Sequence, residues 1–258
     1  HNGHLRVLSF TGQFGWFTLA DATSKEPSPA TLTVLRENNG ALQTVAALPN
    51  AQRPAAIGKP GEQVFGVRFA GERAYVVTFR QIDPLYVLDL SAPADPRAVG
   101  ELEVPGFSDY LHPLANGLLL GVGKDATAQG LVQGVKLGLF DVSNPSAPRV
   151  IDSKVYGSRG SYSTLDFARQ GLNLFERSAS ETRAALPVAI TNDDGQSYQN
   201  GLLRLTIDTA AKTWRDAPLL AAPTTPDAVW HDVWFDRVTQ IEDTVYYFSR
   251  GQLQGAAW

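Results

Sequence analysis

Apolar positions along the chain come in short runs, not in a stripe recurring every 3.6 residues. HLRVLSF, TLTVL, QVFGVRF, AYVVTF, LYVLDL, GLLLGVG, VKLGLFDV, LLRLTI and TVYYF are strand-length and rich in Val, Leu, Phe and Tyr, and Gly, Pro, Asn and Asp clusters separate them. Runs of this kind predict β-strands. A helical alternative exists only over residues 167–184, and Gly171 in its interior weakens it. The chain reads as all-β.

The runs also repeat. LYVLDLSAPADPRAVGELEVPG (residues 85–106) is echoed by LGLFDVSNPSAPRVIDSKVYG (residues 137–157), aligning Asp89 with Asp141 at a period of 52 residues. Such a period, with four strands per unit, predicts the four-stranded antiparallel blades of a β-propeller. The clearest unit reads EQVFGVRFAG, RAYVVTFRQ, LYVLDLS and RAVGELEV: an inner strand, two middle strands and an outer one. Turn chemistry explains the Asp-x-Ser-x-Pro that closes the third strand. Asp89 and Ser91 can accept backbone N–H groups two residues on, while Pro93 and Pro96 end the strand; Asp141, Ser143, Pro145 and Pro148 repeat the device. A repeated turn accounts for these aspartates without catalysis. Residues 31–50 and 202–220 look like degenerate copies, and residues 236–258 supply two or three more strands. The units fall at about 1–50, 61–106, 107–157, 160–221 and 229–258, so the chain is expected to hold four blades and part of a fifth, an incomplete ring within a single propeller.

Length and composition narrow the function. With 258 residues, 43% of them hydrophobic, the chain can bury a sizeable core. A net charge of −4 offers no broad basic surface, which argues against nucleic acid as a partner. Zero cysteines exclude disulfides, cysteine metal sites and thiol nucleophiles. No stretch approaches 18 apolar residues, so no membrane span is expected. The chain begins with His1 and has no methionine, which reads as a mature form or a fragment.

Candidate chemistry lies at the blade corners. Arg80 and Asp83 in TFRQIDPL fall between the second and third strands, where a charge-assisted bond would pin the turn. Asp109 and His112 in GFSDYLHP open the next inner strand, which would line the central channel; at a separation of three residues they converge only if the strand bends. GVGKDATAQG lacks the spacing of a phosphate loop. Asn192, Asp193, Asp194 and Gly195 follow a calcium-loop-like order, but the glutamate at position twelve is absent, so an EF-hand is excluded and at most a weak calcium site remains. The four histidines, His1, His4, His112 and His231, have no zinc-site spacing, and G-x-S-x-G is absent. His231 and Asp232 begin a further candidate inner strand. Phe14, Trp16 and Phe17, and Trp230 and Trp234 beside His231, form aromatic clusters that either fill cores between blades or, beside Asp232, make a binding platform.

The segment from GEQVFGVRFAG through SDYLHPL, LLLGVGKD and GVKLGLFDVSNPSAPRV resembles secreted bacterial and archaeal proteins with a C-terminal β-propeller distantly related to WD-type repeats. The resemblance is strongest from about residue 61 to residue 160, with Arg68, Arg80, Asp83, Asp109, His112, Lys124 and Asp125 as the best-matching positions. It implies a secreted, periplasmic or cell-surface protein, and it carries over no catalytic residues. NGHLRVLS resembles a segment from the middle of that family's domain, implying further N-terminal blades in the same precursor. After Gly160 the pattern departs: Phe167 stands where the resemblance calls for a histidine.

Three functions follow. The first is an extracytoplasmic binding or scaffold module for a protein, peptide or glycan partner, with no catalysis and no cofactor. The second is a hydrolase-like enzyme with a site at the channel mouth built from Arg68, Asp109, His112 and Asp232. The third is a subunit or processed fragment of a surface assembly, completed by complementary blades.

Overall fold

The computed structural model of the chain describes residues 1–10, 29–79, 83–104, 106–127, 129–192, 198–223 and 232–258. The described residues form five antiparallel sheets that follow one another in sequence. The first contains β1 (His4–Phe10), β2 (Ala30–Asn38) and β3 (Ala41–Leu48). The second is an up-and-down meander of β4 (Gln63–Ala70), β5 (Arg73–Phe79), β6 (Asp83–Asp89) and β7 (Arg97–Val104). The third repeats it with β8 (Phe107–Leu114), β9 (Leu118–Ala126), β10 (Val132–Asp141) and β11 (Arg149–Tyr156). The fourth is built on β14 (Glu181–Thr191) and β15 (Tyr198–Asp208), flanked by the short strands β12 (Tyr162–Ser163), β13 (Asn173–Glu176), β16 (Thr213–Asp216) and β17 (Leu220–Ala221). The fifth comprises β18 (Arg237–Ile241), β19 (Thr244–Ser249) and β20 (Gln252–Ala257).

Apolar side chains fill the gap between each sheet and the next. Leu32, Val76 and Leu88 meet between the first and second sheets. Tyr75, Val87, Leu119 and Phe140 meet between the second and third. Leu120, Leu137, Leu186 and Leu205 join the third to the fourth, and Ala185, Leu202, Val245 and Tyr247 join the fourth to the fifth. Middle strands are therefore buried on both faces: Ala74 and Val76 turn toward the first sheet, Tyr75 and Val77 toward the third. This double burial is why AYVVTF and LYVLDL are continuous apolar runs without polar alternation. Each such side chain, fully buried, contributes roughly 1.5–3 kcal/mol.

The repeated aspartates are structural. Asp89 Oδ1 accepts Ser91 N at 3.0 Å, Asp141 Oδ1 accepts Ser143 N at 3.1 Å, and Asp208 Oδ1 accepts Ala210 N at 3.0 Å. The residue after each, Leu90, Val142 or Thr209, is fully buried and donates its N–H to a hairpin carbonyl of its own sheet, at Glu72, Gly117 and Ser180 respectively. That same residue takes a bond from the preceding sheet: Arg6 reaches the Leu90 carbonyl at 3.3 Å, Arg73 the Val142 carbonyl at 2.9 Å, and Asn116 the Thr209 hydroxyl at 3.0 Å. One turn thus closes a strand and ties its sheet to a neighbour.

Two expectations change. Residues 167–184 hold no α-helix but the 3-10 turn Arg169–Gly171, strand β13 and the start of β14, because Leu172 and Leu174 pack into the core from an extended chain. Asp232 does not begin a strand: it caps the 3-10 turn Val233–Phe235, accepting Trp234 N at 3.2 Å, and the strand starts only at Arg237. Among the described residues no helix is long and apolar enough to cross a membrane.

Candidate functional site

The first strands of the second and third sheets, β4 and β8, run side by side, and both are interrupted. Pairing with the next strand passes from Val64 to Gly66 in β4 and from Ser108 to Tyr110 in β8, leaving Phe65 and Asp109 as bulge residues 44 positions apart. The same offset makes Arg68 and His112 equivalent positions on adjacent strands. The offset grows to 52 only after the second strand, because β9 and β10 are longer than β5 and β6. A bulge bends a strand and re-aims its side chain, here that of Asp109. Gly66 makes room for it: a Cβ there would sit 2.7 Å from the Ser108 carbonyl oxygen.

Behind the bulge lies an ion pair withdrawn from solvent. Lys124 Nζ donates to Asp166 Oδ2 at 2.6 Å and to the Ser161 carbonyl at 2.8 Å, with the two side chains 5% and 4% exposed. Asp166 is held from its own side as well, since its carboxylate accepts Ser163 N at 3.1 Å in a capping box that starts the 3-10 turn Thr164–Asp166. Arg169, one turn further on, donates to the Asp109 carbonyl oxygen at 2.5 Å. Three segments, 108–110, 124 and 161–169, are thereby clamped together.

The Asp109 carboxyl makes no hydrogen bond among the described residues, and the residue as a whole is half-buried. Burial, reinforced by the nearby Asp166 carboxylate and opposed by Lys124 and Arg169, pushes its pKa up to about 7. His112 sits 3.2 Å from the Tyr110 hydroxyl through Nδ1; burial and then Arg68 push its pKa down, against a smaller pull from Glu176. Arg68 Nε is buried without an acceptor. Adjacent strands β4 and β8 thus carry an acid that is neutral or charged near pH 7, an imidazole whose charge state responds to the neighbouring Arg68, and an unsatisfied guanidinium N–H, groups that can both donate and accept hydrogen bonds.

Of the other candidates, Asp83 opens β6 opposite Val104, while Arg80, Asp193, Asp194, His231, Trp230, Phe14, Trp16 and Phe17 lie outside the described residues. The Asn192 carbonyl accepts the Ser158 hydroxyl at 2.7 Å. Among the described residues no three His, Asp or Glu side chains converge as a metal-binding group. Asp125 pairs with Lys136 at 3.3 Å. Sequence reading missed Asp166, Arg169 and the pairing of Lys124. The available signal was a lysine inside the apolar run LLLGVGKDA, since a lysine buried in a strand needs a carboxylate.

The chain is similar to two archaeal proteins. It is 34% identical over 152 residues to an uncharacterized protein of Methanocaldococcus jannaschii, covering 59% of this chain and 21% of that one. It is 49% identical over 88 residues to an uncharacterized protein of Archaeoglobus fulgidus, covering 34% and 13%. The chain therefore spans about a fifth or less of the curated relatives it matches. Among solved structures, the β-propeller domain of Vanderwaltozyma polyspora Nup133 overlaps 91% of this chain and 70% of its own at 12% identity and a TM-score of 0.41. A Synechocystis apocarotenoid oxygenase overlaps 88% and 57% at 12% identity and 0.39. The family model described as a beta propeller domain matches residues 1–258, and the chain belongs to that family.

Proposed function

We propose that this chain is the ligand-binding part of an extracytoplasmic β-propeller protein, with its contacts at the inner strands around Arg68, Asp109 and His112. The observation that carries the reading is the buried Arg68 Nε without an acceptor, on the strand next to the one bearing Asp109, whose carboxyl makes no hydrogen bond among the described residues. Unpaired polar groups cost folding free energy. A ligand that donates to one and accepts from the other offsets that cost. Location outside the cytoplasm follows from the resemblance to secreted propellers. Further blades of the same precursor are the proposed protein partner, because the end sheets expose apolar side chains, Leu5 and Phe10 on one and Ile241 and Leu253 on the other.

A hydrolase reading is favoured by one feature, the carboxyl with a pKa near 7 facing a second carboxylate. Thermal-shift screening of oligosaccharides, polyols and short peptides against the wild type, Asp109→Asn and Arg68→Met separates the two. A compound that stabilises the wild type, fails on both variants and is recovered unchanged supports binding. Conversion of that compound by the wild type but not by Asp109→Asn replaces the proposal with the enzymatic reading, and stabilisation equal in all three proteins removes the site.

A further inference from the structure

Beside the Asp109 region two aromatic rings remain open to solvent in fixed positions. Phe167 and Trp234 keep 46% and 43% of their surface exposed although their ring centroids are 4.5 Å apart, at 36°. Tyr162 meets Phe167 edge-on at 5.9 Å. Phe167 is the residue after Asp166, and its N–H closes the 3-10 turn on Thr164 at 3.1 Å. Trp234 sits in the turn capped by Asp232, and the buried Thr164 hydroxyl ties the two turns together by donating to the Val233 carbonyl at 3.1 Å. The rings are therefore held by backbone anchored to the Lys124–Asp166 pair, with little conformational freedom left to lose on binding.

Polar groups rim this ledge. Arg169, two residues beyond Phe167, is exposed and uses one N–H on the Asp109 carbonyl, which leaves further guanidinium donors. The Asp109 carboxyl lies close enough for the Arg169 charge to act on it. A sugar ring presents the complementary chemistry: a face of C–H groups that lies on an aromatic ring, and an edge of hydroxyls that both donate and accept. A rigid apolar surface with a few convergent polar groups is how a small-molecule site fixes orientation. We infer that Phe167 and Trp234 form a stacking subsite for a saccharide whose hydroxyls bond to Arg169 and Asp109. The inference rests on the binding reading above and names its ligand class.

The test is direct binding of cellohexaose, mannohexaose, chitohexaose and a polyuronate hexamer, by calorimetry and tryptophan fluorescence, to the wild type and to Trp234→Ala, Phe167→Ala, Trp234→Phe and Asp109→Asn, each checked for folding by circular dichroism. The expected result is binding of at least one oligosaccharide, weakened at least tenfold by Trp234→Ala and by Phe167→Ala and less than threefold by Trp234→Phe. Oligosaccharide binding lost in Asp109→Asn but retained in both alanine variants overturns the ledge and leaves the inner-strand site standing. Absence of binding to every oligosaccharide, or Trp234-dependent binding of a proline-rich peptide instead, overturns the saccharide assignment.

Discussion

Replacing Lys124 with methionine tests whether the buried ion pair holds the site together. The side chain has about the right length and volume, so little cavity is created and the main effect is electrostatic. The substitution removes two donated bonds, to Asp166 at 2.6 Å and to the Ser161 carbonyl at 2.8 Å, and leaves a carboxylate that is 4% exposed with only Ser163 N as a partner. Breaking a buried pair by removing one member costs about 3–5 kcal/mol. At about 2 °C per kcal/mol for a chain of this size, the melting temperature is expected to fall by roughly 6–10 °C. Urea denaturation of the wild type, Lys124→Met, Asp166→Asn and the double variant closes a cycle. The expected coupling is about 2–3 kcal/mol, because the double variant no longer buries an unmatched charge. A loss below about 1 kcal/mol in Lys124→Met, or additive single effects, would refute the claim that this pair clamps the 108–110, 124 and 161–169 segments.

Three further outcomes follow from the same geometry. Asp109 has a folded pKa above its unfolded value, so its contribution to stability is fully present below pH 4 and is lost as pH rises through about 7; Asp109→Asn is expected to gain stability relative to wild type between pH 5 and pH 8, read from paired thermal melts. Asp141 behaves oppositely: burial raises its pKa, but bonds from Ser143, Lys212 and Arg149 outweigh this and hold it well below the usual range. Stability from Asp141 is thus present above pH 4 and lost as pH falls below it, and Asp141→Asn is expected to cost about 2–3 kcal/mol in urea at pH 7, more than Asp89→Asn, which keeps an amide oxygen to accept Ser91 N and loses only the charge. Gly66→Ala places a Cβ against the Ser108 carbonyl and is expected to cost about 1–3 kcal/mol while shifting the Asp109 carboxyl resonance in carbon-detected NMR.

The propeller was readable because its strands are buried on both faces and its turns repeat: AYVVTF, LYVLDL and the two Asp-x-Ser-x-Pro segments carry enough local pattern to define sheets. The site was readable only as isolated residues. Asp109 and His112 stood out as polar residues opening an inner strand, yet Asp109 is set by a bulge, and a bulge is a property of register between strands that no single run displays. Lys124 on β9 and Asp166 in the 3-10 turn Thr164–Asp166 are 42 residues apart in sequence. Asp232 looked like a strand opener because VWHDVWF is apolar and short; its carboxylate instead bonds Trp234 N and starts a turn, a choice set by the local preference of aspartate for N-caps.

Comparing the repeat with itself separates architecture from chemistry. Positions that must close a turn and receive a bond from the preceding sheet keep the same role in successive units: Asp89, Asp141 and Asp208 accept backbone N–H groups, and Leu90, Val142 and Thr209 follow them in full burial. Side chains at equivalent points of the inner strands diverge. Phe65 in one bulge becomes Asp109 in the next, and Arg68 becomes His112. Packing alone does not require that change, since the apolar bulge residue of β4 already closes against Phe107 with ring centroids 4.6 Å apart. Exchanging an apolar side chain for a carboxyl that lacks a hydrogen-bond partner costs stability where architecture gains nothing. The proposed ligand contacts lie where the repeat stops repeating, and Asp109→Phe, which restores the repeat, is expected to stabilise the fold while abolishing the ligand binding proposed above.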